Sequence, residues 1–197
     1  MKGEAFLLAA VVISVALVAM FQPMRSEYLI KQKQLLQSEY FSSIFENIFN
    51  EIKNSIYFSF DDLDAMIANS FDFLNFSKRI VNQKSMNFES LAILVKAKTS
   101  GYLNITAINF FPESLWLNLT FNETQNSILQ IDSYALNSTN FYFVAGNSYN
   151  LTIQYKNVLR EITIETKDDR NVFLAYVDAS INWKDGVKRK IEYFYMS

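Results

Sequence analysis

The chain contains no cysteine and no histidine, and only four glycines and two prolines in 197 residues. Without cysteine there is no disulfide framework, thiolate metal site or thiol nucleophile. Without histidine the commonest general base, the commonest metal ligand and every Ser-His-Asp arrangement are missing. Four glycines do not supply a phosphate-cradling loop. An excess of positive charge is lacking too. The 18 Lys and Arg stand against 20 Asp and Glu, a net −2. That argues against nucleic acid as a partner, because phosphate contacts need a concentrated basic surface. The expectation is a non-enzymatic protein with no cofactor, no metal and no catalytic residues.

Half of the residues are hydrophobic and 19% are charged, few for a soluble protein. Part of the excess is one run, Ala5 to Phe21, broken only by Ser14. As a helix it would span about 25 Å, the low end of a membrane crossing. Pro23 then removes a backbone donor and is expected to end or kink the helix. The helical pattern resumes beyond it. Tyr28, Leu29, Leu35, Leu36, Tyr40, Phe41, Ile44, Phe45, Ile48, Phe49, Ile52 and Ile56 recur every three or four residues. Arg25, Lys31, Lys33, Glu39, Glu46, Asn47 and Lys53 fill the other face, which predicts an amphipathic helix of about eight turns. Its stripe packs either onto its own domain or against neighbouring copies.

A Lys-Gly pair at positions 2 and 3, an apolar run starting at once and a long amphipathic continuation resemble an archaeal type IV pilin-like protein with a class III signal peptide. The resemblance covers roughly the first 55 residues. It implies peptidase processing between Gly3 and Glu4, leaving the apolar helix on the mature protein. It also implies self-association through that helix, or assembly with other pilin-like subunits. Leu8 stands where many such pilins carry an acid, so a minor or pseudopilin-like component, or a simple anchored protein, is as open as a main pilin.

Two signals disagree about which side of a membrane the rest occupies. Arg25, Lys31 and Lys33 follow the apolar run, and positive charge prefers the cytoplasm. Against this, six asparagines begin Asn-x-Ser/Thr: Asn75, Asn104, Asn118, Asn122, Asn137 and Asn150. Nineteen Asn and eight Thr in 197 residues would meet at Asn-x-Thr spacing about 0.8 times by chance. Five occur. In SLWLNLTFN, Asn118 and Asn122 alternate with Leu115, Leu117, Leu119 and Phe121, which points both asparagines to solvent. The sequons outweigh the charge rule, and the expected location is the cell surface, with an extracytoplasmic, N-glycosylated domain held by a single-pass N-terminal helix.

The stretch SFDDLDAMIANSF predicts a helix capped by Ser59 with Asp61, Asp62 and Asp64 in its first turn. Those acids suit the helix dipole better than a calcium loop, whose glycine and distal glutamate are missing. From about Leu91 onward eight or nine short apolar-alternating runs predict strands, with breaks that include Ser100-Gly101, Gly146-Asn147 and Asp185-Gly186. SILQIDSYAL counts as one of them, and the last two breaks read as hairpin turns. Helices followed by strands make the class α+β. The expected organisation is a transmembrane or class III signal-like segment over 1–23, a helical stalk over 24–58, a short helical connector over 59–88 and an antiparallel β-sandwich over 89–197.

Few constellations carry chemistry. Asp132, Glu161, Glu165 and Asp178 are strand-borne carboxylates that a glycosidase could pair. Tyr142, Trp116, Trp183, Tyr193 and Tyr195 form either core or a stacking platform for glycans. Lys188-Arg189-Lys190 suits an edge strand that resists edge-to-edge pairing. The sequence reading is a membrane-anchored or filament-forming structural protein. The alternative is a membrane-anchored surface binding module, such as an adhesin or an accessory subunit of an envelope complex.

Overall fold

Between Gly3 and Gly101 there is no glycine, and Pro23 is the only proline. Chain so poor in breakers favours helix. The computed structural model describes residues 2–59 and 62–196, with side chains described over 28–59 and 62–195. Helix α1 runs from Lys2 to Tyr57 and α2 from Leu63 to Gln83. Helix α1 continues through Pro23, which does not end it. One proline costs a single i to i−4 bond, and the turns on either side keep theirs.

The cap of α2 is Asp62, not Ser59. Its Oδ1 accepts from the backbone N–H of Asp64 at 3.0 Å and of Ala65 at 3.4 Å, while the Ser59 hydroxyl is taken by the Asn69 amide. Asp61 lies outside the described residues.

Nine antiparallel strands follow: β1 (Asn87–Ala97), β2 (Tyr102–Asn109), β3 (Leu115–Phe121), β4 (Gln125–Ile131), β5 (Ala135–Tyr142), β6 (Ser148–Tyr155), β7 (Val158–Glu165), β8 (Val172–Trp183) and β9 (Gly186–Met196). They form a five-stranded sheet in the order β5-β2-β1-β8-β9 and a four-stranded sheet in the order β4-β3-β6-β7. Leu91, Ile93 and Val95 of β1 and Leu174 and Tyr176 of β8 meet Leu117, Leu119, Leu151 and Ile153 of the other sheet in one buried core. That is a β-sandwich. SILQIDSYAL is broken at Asp132–Tyr134, where Tyr134 takes φ 57°, and its halves belong to different sheets. Gly146-Asn147 likewise joins β5 to β6 across the sandwich and is no hairpin. The hairpin at Asp185-Gly186 does form, pairing Trp183 with Gly186 across Lys184 and Asp185.

By contacts the chain divides into two units, Met1–Ile44 and Phe45–Ser197. In the second unit helices cover the outer face of the five-stranded sheet. Phe45, Phe49, Ile52 and Ile56 of α1 and Met66, Leu74 and Val81 of α2 are buried there. The facing strand residues are Ala92 and Leu94 of β1 and Ala175, Val177 and Ala179 of β8, all buried. Both faces of β1 and β8 are therefore covered. This is why LAILVKA and VFLAYVDASIN read as continuous apolar runs and lack alternation.

The expectation of an N-terminal membrane helix is corrected. Among the described residues no helix is long and apolar enough to cross a membrane. For the part of α1 whose side chains are described, from residue 28 on, the physical reason is charge: Lys31, Lys33, Glu39, Glu46, Glu51 and Lys53 recur there, and hydrocarbon does not accept charge at that density. The side chains of residues 1–23 lie outside the described residues, and with them those of Gly3, Glu4 and Leu8.

Candidate functional site

The amphipathic stripe of α1 divides in two. Its second half is core, as above. Its first half is uncovered: Tyr28, Leu29, Ile30, Leu35, Leu36 and Tyr40 are each between 53% and 67% exposed. Leu29, Leu36 and Tyr40, with Gln32, Lys33 and Gln37, line a shallow hollow on the helix. Six large apolar side chains within thirteen residues of one helix exceed the scatter of single exposed hydrophobics on an ordinary surface.

The buried half is held to β9 by charge as well as by packing. Lys53 Nζ donates to Glu192 Oε1 at 2.8 Å, and Lys188 reaches Glu46 at 2.8 Å. Lys190 lies 3.3 Å from Glu192 and 4.5 Å from the centre of the Phe49 ring. Arg189, one position out of phase, points to the other face. The Lys188-Arg189-Lys190 run does lie on an edge strand, yet its cations pair with acids of the same chain.

The Lys188 bond is the main cause that holds Glu46 below its ordinary pKa, and the Lys53 bond does the same for Glu192. Glu192 in turn raises Lys53. A carboxylate depressed in the folded state stabilises the fold above its unfolded pKa, and that contribution is lost as pH falls through the folded value. These side chains are about a third exposed, so each pair is worth about 0.5 kcal/mol after screening. The thermal midpoint should hold between about pH 7 and 5 and fall between about 4.5 and 3. In Lys53→Met/Lys188→Met that acid limb should be shallower in a pH series of melting curves, and an unchanged limb would place the acid sensitivity elsewhere.

Asp178 sits where no substrate reaches it. Its side chain is 2% exposed and is gripped by Arg189 in two bonds, from Nε to Oδ1 at 2.8 Å and from the second guanidinium nitrogen to Oδ2. The Tyr155 hydroxyl, from the opposite sheet, donates to the same carboxylate and lies 2.7 Å from the Tyr176 hydroxyl. Burial first, then the Asp178 charge, pushes the Tyr155 phenol far above its ordinary pKa, so it stays a donor. The Asp178 bonds raise Arg189 further. This cluster is an inter-sheet lock. Asp132 stands apart in the β4–β5 turn, accepting from Ser114 at 3.1 Å.

Glu161 and Glu165 come together with two of the aromatics. With Thr163 of β7, Lys167 and Arg170 of the following loop, Val172 of β8 and Tyr193 and Tyr195 of β9, they line a cleft of about 560 Å³ between the free edges of the two sheets. Glu165 lies 4.0 Å from Lys167. The Tyr193 and Tyr195 rings meet edge to face, 6.4 Å apart. Glycosidase work would need the carboxyls about 5–10 Å apart. Four residues of strand hold the two Cα atoms about 13 Å apart, and both glutamates are exposed, which does not favour a proton-sharing pair.

The other aromatics stay apart. Trp116 and Tyr142 are exposed on β3 and β5, and Trp183 packs at the β8–β9 turn. Among the described residues no three acidic side chains are grouped to hold a metal ion.

Of the sequon asparagines, Asn122, Asn137 and Asn150 are exposed, and Asn75, Asn104 and Asn118 are half-buried. Asn118 and Asn150 belong to adjacent strands, β3 and β6, of the four-stranded sheet, while Asn122 starts the turn after β3 with φ 50° and does not continue the strand alternation. The Asn122 N–H donates to the Asn150 carbonyl at 2.8 Å, and Asn118 pairs with Gln154. Asn150 Oδ1 accepts from the Thr163 hydroxyl at 3.2 Å. Asn75 and Asn104 differ in that their partner hydroxyl residues, Ser77 and Thr106, are buried.

No protein-family model matches the chain, and no curated protein matches it in sequence.

Proposed function

We propose that this chain is a non-enzymatic, pilin-like structural subunit of the cell surface that assembles through the first half of its long helix with copies of itself or with other pilin-like subunits. The observation that carries the proposal is the uncovered stripe from Tyr28 to Tyr40, which continues a helix whose second half is already core. A helix face that apolar is stable in water only when something covers it. A second copy supplies the same face, with Lys31, Lys33 and Glu39 available at its margins. The asparagines on the outer face of the four-stranded sheet support a glycosylated exterior.

Sedimentation of the full chain taken from its host's surface tests this. The wild type should assemble with rising concentration, and Leu35→Glu/Leu36→Glu should stay a single copy with unchanged circular dichroism. Two charges placed in a buried seam should weaken association by more than about a hundredfold. The intact mass of the same material reports added hexose and whether the chain begins at Glu4. A wild type that remains a single copy up to millimolar concentration would overturn the assembly reading.

A further inference from the structure

We propose that the cleft between β7 and β9 is a binding site for a neutral oligosaccharide. Three observations select that class. First, the lining is balanced in charge, with Glu161 and Glu165 against Lys167 and Arg170. A phosphate or uronate would meet two carboxylates, and a metal cation or a polyamine would meet two cations, so neither sign of ligand is favoured. A polyhydroxyl ligand uses both kinds of group, since every hydroxyl both donates and accepts. The carboxylates accept, Lys167 and Arg170 donate, and Thr163, whose hydroxyl proton goes to Asn150, accepts.

Second, two tyrosines of the lining are open to solvent. Tyr193 is 52% exposed and Tyr195 39%, and their rings meet edge to face; exposed rings of this kind stack on the C–H face of a sugar. The Tyr195 hydroxyl, like any phenol, is a hydrogen-bond donor at neutral pH. Third, about 560 Å³ lies in the range of small-molecule sites and accommodates two or three sugar rings.

The strands explain how the site is made. Glu161, Thr163 and Glu165 alternate on one side of β7, and Tyr193 and Tyr195 on one side of β9. Among the described residues each is the last strand of its sheet. The β7–β8 loop, which carries Lys167 and Arg170, crosses from one sheet to the other. The cleft shares no residue with the helical stripe, so the inference does not rest on the assembly reading.

The test is isothermal titration of the full chain, produced in a host without N-glycosylation and held in a sugar-free detergent. The probes are cellobiose, maltose and di-N-acetylchitobiose, with digalacturonate and chitosan dimer as charged controls. At least one neutral probe should bind and both charged controls should bind more weakly. Tyr193→Ala and Tyr195→Ala should each weaken that binding about tenfold. Glu165→Gln, a smaller change to an exposed side chain, should weaken it severalfold while the melting temperature stays unchanged. The proposal is overturned if no neutral probe binds, if a charged control binds best, or if the tyrosine variants bind as the wild type does.

Discussion

Asp178→Ala should lower the thermal midpoint of the sandwich by about 6–12 °C, at about 3 kcal/mol of lost stability. The carboxylate is buried, and it holds together Arg189 on the neighbouring strand and Tyr155 on the opposite sheet. Removing it leaves the Tyr155 hydroxyl with Tyr176 as its remaining partner and opens a gap between the sheets. Arg189 softens the loss, because its side chain is 46% exposed and can turn to water. Hydrogen bonds to charged groups are worth about 1.5–3 kcal/mol net, and two partners are affected. Asp178→Asn keeps an acceptor for Tyr155 and should lose less than half as much. Melting curves of the two variants check this. Equal losses would mean that the carboxylate charge, and not the volume or the acceptor that Asn retains, holds the sheets at this point.

Phe49→Ala should cost about 3–5 kcal/mol. Its ring is 1% exposed, 6.0 Å from the Phe45 ring and under the Lys190 ammonium. Here the loss should be uneven. Among the described residues the core between the sheets contains none from α1, so the amides of 45–57 should lose hydrogen-exchange protection while those of β3 and β6 keep most of theirs. Uniform loss of protection would show that helix and sandwich unfold as one unit. The two variants thus separate the two interfaces that cover the five-stranded sheet.

Much of this arrangement is legible locally. Alternation in SLWLNLTFN places Leu115, Leu117 and Leu119 inside and Trp116 outside, and they lie there because strand geometry has a period of two whatever the partner. The three-to-four spacing of Phe45, Phe49, Ile52 and Ile56 marks a buried helical face in the same way. The cleft was half legible. Glu161, Glu165, Tyr193 and Tyr195 stand out as residue types, but β7 and β9 belong to different sheets and no spacing along the chain brings them together. Thr163, Lys167, Arg170 and Val172 carry no signal of their own.

Sequence by itself determined the element types, the strand phases and the classes of chemistry that missing cysteine and histidine remove, because each rests on residues a few positions apart. Tertiary structure alone decided which half of the helical stripe is covered. It also decided that Asp178 is a lock and not an acid for catalysis, and that SILQIDSYAL turns from one sheet to the other. Those outcomes depend on what lies opposite a residue across the fold. Tyr155 and Asp178 are 23 positions apart and Lys53 and Glu192 are 139 apart, and only the closed sandwich brings either pair within a hydrogen bond.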